Sequence, residues 1–304
     1  MIQYSIKSNI NNGRLGLWLA MCVFLQVAFA MSAVGAGMEK SGGGYLSPSP
    51  VSGGIPVFDA TLFSGKPDLS SYGLRPLPVI YQGELWKGAK DLHRVPDDAT
   101  IRAAVAQIAA DATVICIDIE HWPLNGDGDE VARNLEKYTE VIRRFRATGK
   151  NYRLGYYGVL PVVDYWRAIN DPASSSFKQW QSENEAIAPL AAEVDVLFPS
   201  LYTFYTDQEG WRRMAISQIK AAKSYGKPVY VFLWPQFHDS NLLLGGRYIG
   251  DDYWRMELET VRRYADGIVI WGGWGDGKPA KWDNEAPWWK VTKSFLKRQN
   301  QARQ

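Results

Sequence analysis

The chain has 304 residues, of which 46% are hydrophobic and 22% are charged, which is the composition of a folded globular protein. Composition and length exclude a disordered chain and a membrane protein with several spans. The formal net charge is +2, and Lys7 and Arg14 supply this excess in a segment that we expect to lie outside the folded domain. The remainder is neutral and lacks the basic character expected of a nucleic-acid-binding protein, so no nucleic-acid partner is predicted.

Two other features of the composition limit the possible functions. The chain has 13 Trp, 16 Tyr and 11 Phe, a density of aromatic rings that either fills a large core or lines a surface for sugar faces. Its two cysteines, Cys22 and Cys116, and its three histidines, His93, His121 and His238, show no zinc-ligand spacing. We therefore expect no metal site and no cofactor.

The N-terminal segment has the pattern of an export signal. Lys7 and Arg14 precede the apolar run at 15–30, and small residues that suit cleavage follow it, so residues 1–36 are predicted to be a signal peptide. An uncleaved membrane anchor remains open, because the apolar stretch is long enough to span a bilayer. Residues 37–54 are rich in Gly, Ser and Pro and are predicted to be a flexible tether. The expected location is secreted or periplasmic.

From residue 55 onward, apolar runs alternate with helical patterns. The runs predicted as strands are 55–60, 77–81, 112–120, 152–159, 194–202, 228–234 and 267–271. The predicted helices are 97–110, 129–148, 177–192, 208–225, 251–264 and 288–298. Continuously apolar strands separated by helices indicate a parallel sheet that is buried on both faces. The prediction is an α/β fold, a distorted TIM-like (β/α) barrel of about seven parallel strands, as one domain over 55–304.

In such a barrel the functional residues lie where the strands end at their C-terminal side. The third predicted strand ends in Asp118 and Glu120, which are two residues apart and therefore leave the same strand face, roughly 6–7 Å apart. Two enclosed carboxyl groups cannot both ionise freely, so one is pushed to keep its proton near neutral pH. A protonated carboxyl beside an ionised one is the equipment of glycoside hydrolysis. The alternative is an acidic strand end that is merely solvated.

Aromatic residues close the same strand ends. The candidate substrate-binding residues at these positions are Trp122, Tyr157, Tyr202, Trp234 and Trp271. Rings here either stack on sugar faces or simply pack at the top of the barrel.

Two neighbours of the carboxylate pair are predicted to play no direct part. His121 alternates with Glu120 and is expected to pack or to support the site from the opposite face. Cys116 has the inward parity of Asp118 and is predicted to be a small core residue.

Four segments together resemble the hyaluronidases, glycoside hydrolase family 56. IDIEHWP at 117–123 is similar to the Asp-x-Glu-x-Trp motif of that family, and GYYG at 155–158 to its strand-four segment. LFPSLY at 197–202 and ADGIVIWG at 265–272 are similar to two further segments, and all four occur in the family's order. Asp-x-Glu alone is a weak signal, whereas four segments at consecutive barrel positions are moderately specific. The resemblance implies a distorted barrel with about seven strands.

The resemblance also implies roles for individual residues. Glu120 matches the general acid/base, and Asp118 matches the residue that orients the N-acetyl group of the substrate. The acetamido oxygen of the sugar then attacks the anomeric carbon, so no protein nucleophile is needed and configuration is retained. Tyr202 and Trp271 match residues around that acetamido group, and Tyr165 corresponds to a further family tyrosine. The expected protein is an endo-β-N-acetylhexosaminidase that acts on a polysaccharide or glycosaminoglycan.

Several alternatives remain open. A groove for the polyanion hyaluronan should be lined with Lys and Arg, whereas the folded part of this chain is neutral. A glycosidase that acts on a neutral glycan through a direct nucleophile, such as Asp59 at the end of the first strand, is a second hypothesis. A glycan-binding barrel without turnover is a third. We expect a monomer with no membrane contact beyond a possible N-terminal anchor.

Overall fold

The computed structural model describes residues 54–87, 91–275 and 277–301. The predicted signal peptide and nearly all of the predicted tether lie outside these residues. The described strands are β1 (Val57–Thr61), β2 (Leu74–Pro76), β3 (Val79–Tyr81), β4 (Val114–Asp118), β5 (Arg153–Tyr156), β6 (Tyr230–Leu233), β7 (Gly267–Gly272), β8 (Trp274–Gly275) and β9 (Lys278–Pro279).

Helices follow most strands and cover the outside of the sheet. They are α1 (Gln82–Leu85), α2 (Asp98–Ala106), α3 (Gly128–Ala147), α4 (Ser175–Ile187), α5 (Leu190–Glu193), α6 (Gln208–Ser224), α7 (Asp251–Tyr264) and α8 (Pro287–Gln301). The single helix predicted over 177–192 is instead two helices, α4 and α5, with Pro189 between them, because proline has no N–H to donate. Within the described ranges, no helix combines the length and apolar character needed to cross a membrane.

The parallel strands form a distorted (β/α) barrel, as predicted. β1 pairs with β7 and β2, β7 pairs with β6, and β4 pairs with β3 and β5, all in parallel. The second predicted strand, 77–81, appears as the shorter β3, and β2, which precedes it, was not predicted. Pro76 and Pro78 have no N–H to donate to a ladder, which limits regular pairing in this stretch. The amide of Leu77 still donates to Asp59 O (2.9 Å), and Cys116 N donates to Pro78 O (3.0 Å). This one extended run therefore joins β1 to β4.

The fifth predicted strand closes the ring on the other side. It is not a continuous strand but a set of parallel bridges that pair Phe198 with Tyr157 and Ser200 with Phe232. Pro199 lies in the middle of this segment, and its missing N–H prevents a regular ladder. Gly155 is required where β5 approaches this segment, because a Cβ at that position would lie 2.1 Å from Val196 O.

Strand alternation separates two cores. On β7, Ile268 and Ile270 pack against the helices, whereas Val269 and Trp271 point into the barrel. The barrel interior is formed by Phe58, Ala60, Leu77, Val114, Cys116, Val196, Phe198, Tyr202, Tyr230, Phe232, Trp234, Val269 and Trp271. Cys116 is thus an inward-facing core residue, as predicted. Asp118 lies two residues later on the same strand, so its side chain leaves the same, inward face.

Candidate active site

A cleft of about 310 Å³ opens at the C-terminal ends of the strands. Its walls come from the segment after β4, the end of β5, the fifth-strand segment and the loop after β6. The residues that line it are Ile119, Glu120, Trp122, Leu124, Asn125, Tyr138, Tyr157, Gly158, Val159, Val162, Val163, Ser200, Tyr202, Phe204 and His238. Of the residues predicted from the strand ends, Glu120, Trp122, Tyr157 and Tyr202 line this cleft.

The two carboxyl groups of the pair differ in exposure. Asp118, the last residue of β4, is only 5% exposed, while Glu120 is exposed and lines the cleft. The Oδ1 atom of Asp118 is buried and has no hydrogen-bond partner among the described residues. A buried acceptor without a partner is costly, so a donor that reached this oxygen would stabilise the site.

Burial and mutual repulsion keep one proton on the pair. Burial, together with the nearby charge of Glu120, raises the pKa of Asp118 to about 8. Burial also raises the pKa of Glu120, although the hydrogen bond from the Asp118 carboxyl opposes this rise. Near neutral pH the two carboxyl groups therefore share one proton rather than both ionising.

Two tyrosines stand beside the pair as neutral hydroxyl groups. The Tyr157 hydroxyl lies 3.0 Å from Ser200 Oγ, and its ring centroid is 5.9 Å from that of Tyr202. Burial raises the pKa of both tyrosines, and Asp118 contributes to the rise in each, which places both near its carboxyl group. They form a wall that can donate hydrogen bonds without adding charge.

Trp271 and Trp234 lie behind that wall rather than along the cleft. Trp271 stacks on Tyr202 with ring centroids 5.8 Å apart and an interplanar angle of 27°, and Trp234 meets Trp271 edge-on at 4.9 Å. Trp271 Nε1 donates to the Tyr81 hydroxyl (3.2 Å). Both indoles are buried in the barrel core and pack against Tyr202, and neither is among the described residues that line this cleft.

Trp122 and Tyr165 differ in their relation to the cleft. Trp122 lines it but is 2% exposed, and its Nε1 donates to Leu92 O (2.9 Å). Tyr165 is not a lining residue; it packs edge-on against Trp166 (4.8 Å) and Tyr205 (5.2 Å) outside the cleft. The structure therefore brings Trp122 to the pair and leaves Tyr165 at the rim.

His121 has a supporting position, as its parity predicts. Its Nδ1 lies 3.0 Å from Gln82 Oε1, and the same oxygen accepts the backbone N–H of Glu120 at 3.0 Å. The other ring nitrogen lies 2.8 Å from Leu92 O. His121 and Gln82 thus hold the backbone at Glu120 without facing the cleft.

Sequence reasoning missed four residues of this region. Tyr81 ends β3 in direct register with Asp118, and the strand-end rule that identified Tyr202 would also have found it. Ser200 lies one step from Pro199 and carries a hydroxyl on the cleft side. Asn125 and His238 come from loops, where no periodicity indicates direction.

Asp59, the alternative nucleophile, faces away from the barrel interior. It alternates with the inward Phe58 and Ala60, and Lys66 Nζ contacts its Oδ2 at 2.6 Å. Its Oδ1 accepts both the amide and the hydroxyl of Thr61 at 2.9 and 2.6 Å. Both oxygens are used locally, which disfavours a nucleophilic role. In the described part of the chain, no three His, Cys, Asp or Glu residues cluster as metal ligands.

Two solved structures have a fold similar to that of this chain. Bee venom hyaluronidase in complex with a hyaluronic acid tetramer aligns with a TM-score of 0.56 and 14% identity, over 81% of this chain and 96% of that chain. A monoclinic crystal structure of bee venom hyaluronidase gives the same score and identity over 81% and 97% of the two chains. No family model matches the sequence, and no curated protein matches it. At this identity the likeness establishes the barrel fold.

Proposed function

We propose that this protein hydrolyses a polysaccharide containing β-linked N-acetylhexosamine, by a substrate-assisted mechanism that retains configuration. The observation that supports this most strongly is the Asp118–Glu120 pair, which holds one proton and leaves a buried acceptor oxygen unpartnered. An acetamido N–H is the kind of donor that Oδ1 of Asp118 lacks. A binding module requires neither the proton nor the carboxylate repulsion that keeps it there.

Each carboxyl group has a distinct part in this proposal. Glu120, at the cleft mouth, donates a proton to the leaving oxygen and later takes one from water. When substrate binds, the proton that the pair shares resides on Glu120. Asp118 is then ionised, accepts the acetamido N–H, and stabilises the positive charge that develops as the acetamido oxygen bonds to the anomeric carbon.

We assign the nucleophile to the substrate because neither of the two candidate protein carboxylates is suitably placed. A direct nucleophile must approach the sugar from the face opposite the acid. Asp118 leaves the same strand face as Glu120, and Asp59 points out of the barrel, where Lys66 and Thr61 occupy its oxygens. Neither carboxylate is placed for that approach.

The charge of the cleft favours an uncharged glycan over hyaluronan. None of the described residues that line it is Lys or Arg, and its only charged lining residue is Glu120. A polyanionic chain entering this site would meet carboxylates without compensating cations, which costs affinity. We therefore propose a chain of uncharged N-acetylhexosamine units as substrate.

A product screen tests the proposal. Wild-type protein and the Glu120→Gln variant are incubated with hyaluronan, chondroitin, chitin and peptidoglycan fragments, and the new reducing ends are measured. Release by the wild type that is strongest on the uncharged chain, stops in the variant and is blocked by an oxazoline-type inhibitor supports the proposal. Binding by a folded wild type without release from any substrate identifies a glycan-binding barrel instead.

We also propose that residues 1–36 direct export and that residues 55–304 are one hydrolase domain behind a tether. The apolar run at 15–30 behind two basic residues supports export. Intact-mass measurement of the exported protein distinguishes cleavage from anchoring, since an unprocessed N-terminus rejects a cleaved signal.

A further inference from the structure

A line of aromatic rings leaves the cleft along the fifth-strand side. Tyr202 at the carboxylate pair is 6.2 Å from the His238 ring, which in turn is 4.5 Å from Phe204. The line continues from Phe204 to Tyr205 at 6.4 Å and from Tyr205 to Trp166 at 5.3 Å. Each distance joins ring centroids, so the rings form a continuous path from the cleft to the surface.

Trp166 at the outer end of this path is unusually exposed. Its exposed fraction is 51%, and no other tryptophan of the described residues is among the exposed large side chains. Most tryptophans here fill cores, including Trp211, Trp254 and Trp289, which are fully buried. An exposed indole at this position offers a flat apolar face on which a sugar ring can stack.

The protein holds Trp166 in place from behind. The next residue, Arg167, forms paired hydrogen bonds with Glu183 (2.7 and 2.7 Å) and a third with Asp164 (2.7 Å). Tyr165 packs edge-on against the indole at 4.8 Å. Because two carboxylates bind Arg167, there is no uncompensated cation beside the indole.

The same loop also forms a wall of the cleft. Val163 lines the cleft and is 40% exposed, and Trp166 follows three residues later. Val163 and Trp166 therefore place two exposed apolar side chains, three residues apart, on the loop that borders the cleft.

We propose that Trp166, with Tyr205, is a distal sugar-binding platform that holds a polysaccharide chain several units from the bond that is cut. The ligand is a pyranose ring of an uncharged glycan, which places its C–H face on the indole. This inference rests on the proposed hydrolase function and adds that the preferred substrate is a long chain. A short oligosaccharide bound at Asp118 and Glu120 does not reach the platform.

The test compares Trp166→Ala with Tyr72→Ala. Tyr72 is 36% exposed and packs edge-on against Trp289. It lies just before β2, at the N-terminal end of that strand, whereas the cleft lies at the C-terminal ends of the strands. Tyr72 is therefore a matched exposed ring away from the cleft. Kinetics are measured on long and short chains of the same repeating unit. We expect Trp166→Ala to lower the long-to-short ratio of kcat/KM by ~3- to 10-fold, as for the loss of one aromatic contact. Trp166→Phe should restore part of the ratio, and Tyr72→Ala should match wild type.

A binding measurement separates failure of this inference from failure of the proposed function. Affinity electrophoresis through gels that contain the long glycan reports retention without turnover. Retention that depends on Trp166 in a protein that hydrolyses nothing keeps the platform and rejects the hydrolase. A Trp166→Ala variant that retains and hydrolyses the long chain as Tyr72→Ala does overturns the platform. An equal loss on long and short chains also overturns it, since that result indicates a local structural role.

Discussion

Two buried carboxyl groups of this protein invite comparison. Asp118 lies at the end of β4, and Glu257 lies on α7 with no exposed surface. Burial raises the pKa of both, and each keeps one oxygen without a hydrogen-bond partner among the described residues. Glu257 accepts the hydroxyl of Thr203 and is not a cleft residue, whereas Asp118 has a second carboxyl group, Glu120, beside it at an open cleft.

The difference shows which features indicate chemistry. A raised pKa and a partnerless oxygen occur at both sites, so neither feature alone marks an active site. Of these two sites, only that of Asp118 has a second carboxyl group beside it and a cleft that this second group lines. The account therefore predicts catalytic effects at the Asp118 site and effects on stability alone at Glu257.

The largest expected effect comes from Glu120→Gln. Gln keeps the shape of the side chain but cannot donate or accept the catalytic proton, so turnover should fall by ~10²- to 10⁴-fold while glycan binding is kept. Glu257→Gln is the matched control, because it makes the same chemical change in a sealed carboxyl. Equal rates for wild type and Glu120→Gln would remove Glu120 from the mechanism.

Asp118→Asn should cause the second largest loss of turnover. Asn retains a polar contact to the acetamido group but has no negative charge to stabilise the transition state, so kcat should fall by ~10²-fold or more. Asp118→Ala with added azide distinguishes an orienting group from a nucleophile. We expect no glycosyl azide by mass spectrometry, and its formation with inverted configuration would make Asp118 the nucleophile.

The pH dependence of activity follows from the shared proton. The pair must hold one proton for Glu120 to act as an acid, and the raised pKa of Asp118, about 8, marks where that proton is lost. Activity should therefore fall as the pH rises through about 8. A profile of kcat/KM against pH measures this alkaline decrease in activity, and a flat profile from pH 7 to about 10 would contradict the prediction.

The smallest expected effect is on thermal stability, and we expect the same direction of change when either Asp118 or Glu257 is replaced by its amide. A carboxyl group with a raised folded-state pKa stabilises the protein at low pH, and this contribution is lost as the pH rises toward the folded-state pKa. Asp118→Asn and Glu257→Gln should each therefore gain Tm relative to wild type as the pH increases from 5 to 9, by roughly 2–4 °C per kcal/mol. Thermal unfolding at both pH values measures this, and Glu257→Gln should keep wild-type kcat/KM. A Glu257→Gln variant that loses activity would end the contrast between the two sites.

Much of the barrel and the centre of its candidate site could be predicted from local sequence pattern. Apolar runs such as VICID and GIVIW indicate strands buried on both faces, and the parity of Asp118 and Glu120 places them on one strand face. The fifth strand was predicted as continuous because its apolar residues outweigh one proline. In the structure Pro199 reduces it to bridges.

Other features of the site could not be predicted from the sequence, because they depend on tertiary packing. A ring at a strand end can face a ligand or the core. In the structure Trp234 and Trp271 pack against Tyr202 in the barrel core, and their role in substrate binding stays a prediction. Trp166 follows no periodic element, so nothing in the sequence indicates that its indole is exposed. Strand register and loop conformation depend on the packing of the whole fold, and the local sequence pattern does not predict them.

The most direct test of the central claim uses two β-linked oligosaccharides that differ only in the 2-acetamido group. If the acetamido oxygen is the nucleophile and its N–H satisfies Asp118 Oδ1, wild-type protein should cleave the N-acetylated chain and leave its 2-hydroxy counterpart intact. Reducing ends are measured for both under the same conditions. Cleavage of both chains at similar rates would contradict substrate assistance and the orienting role of Asp118.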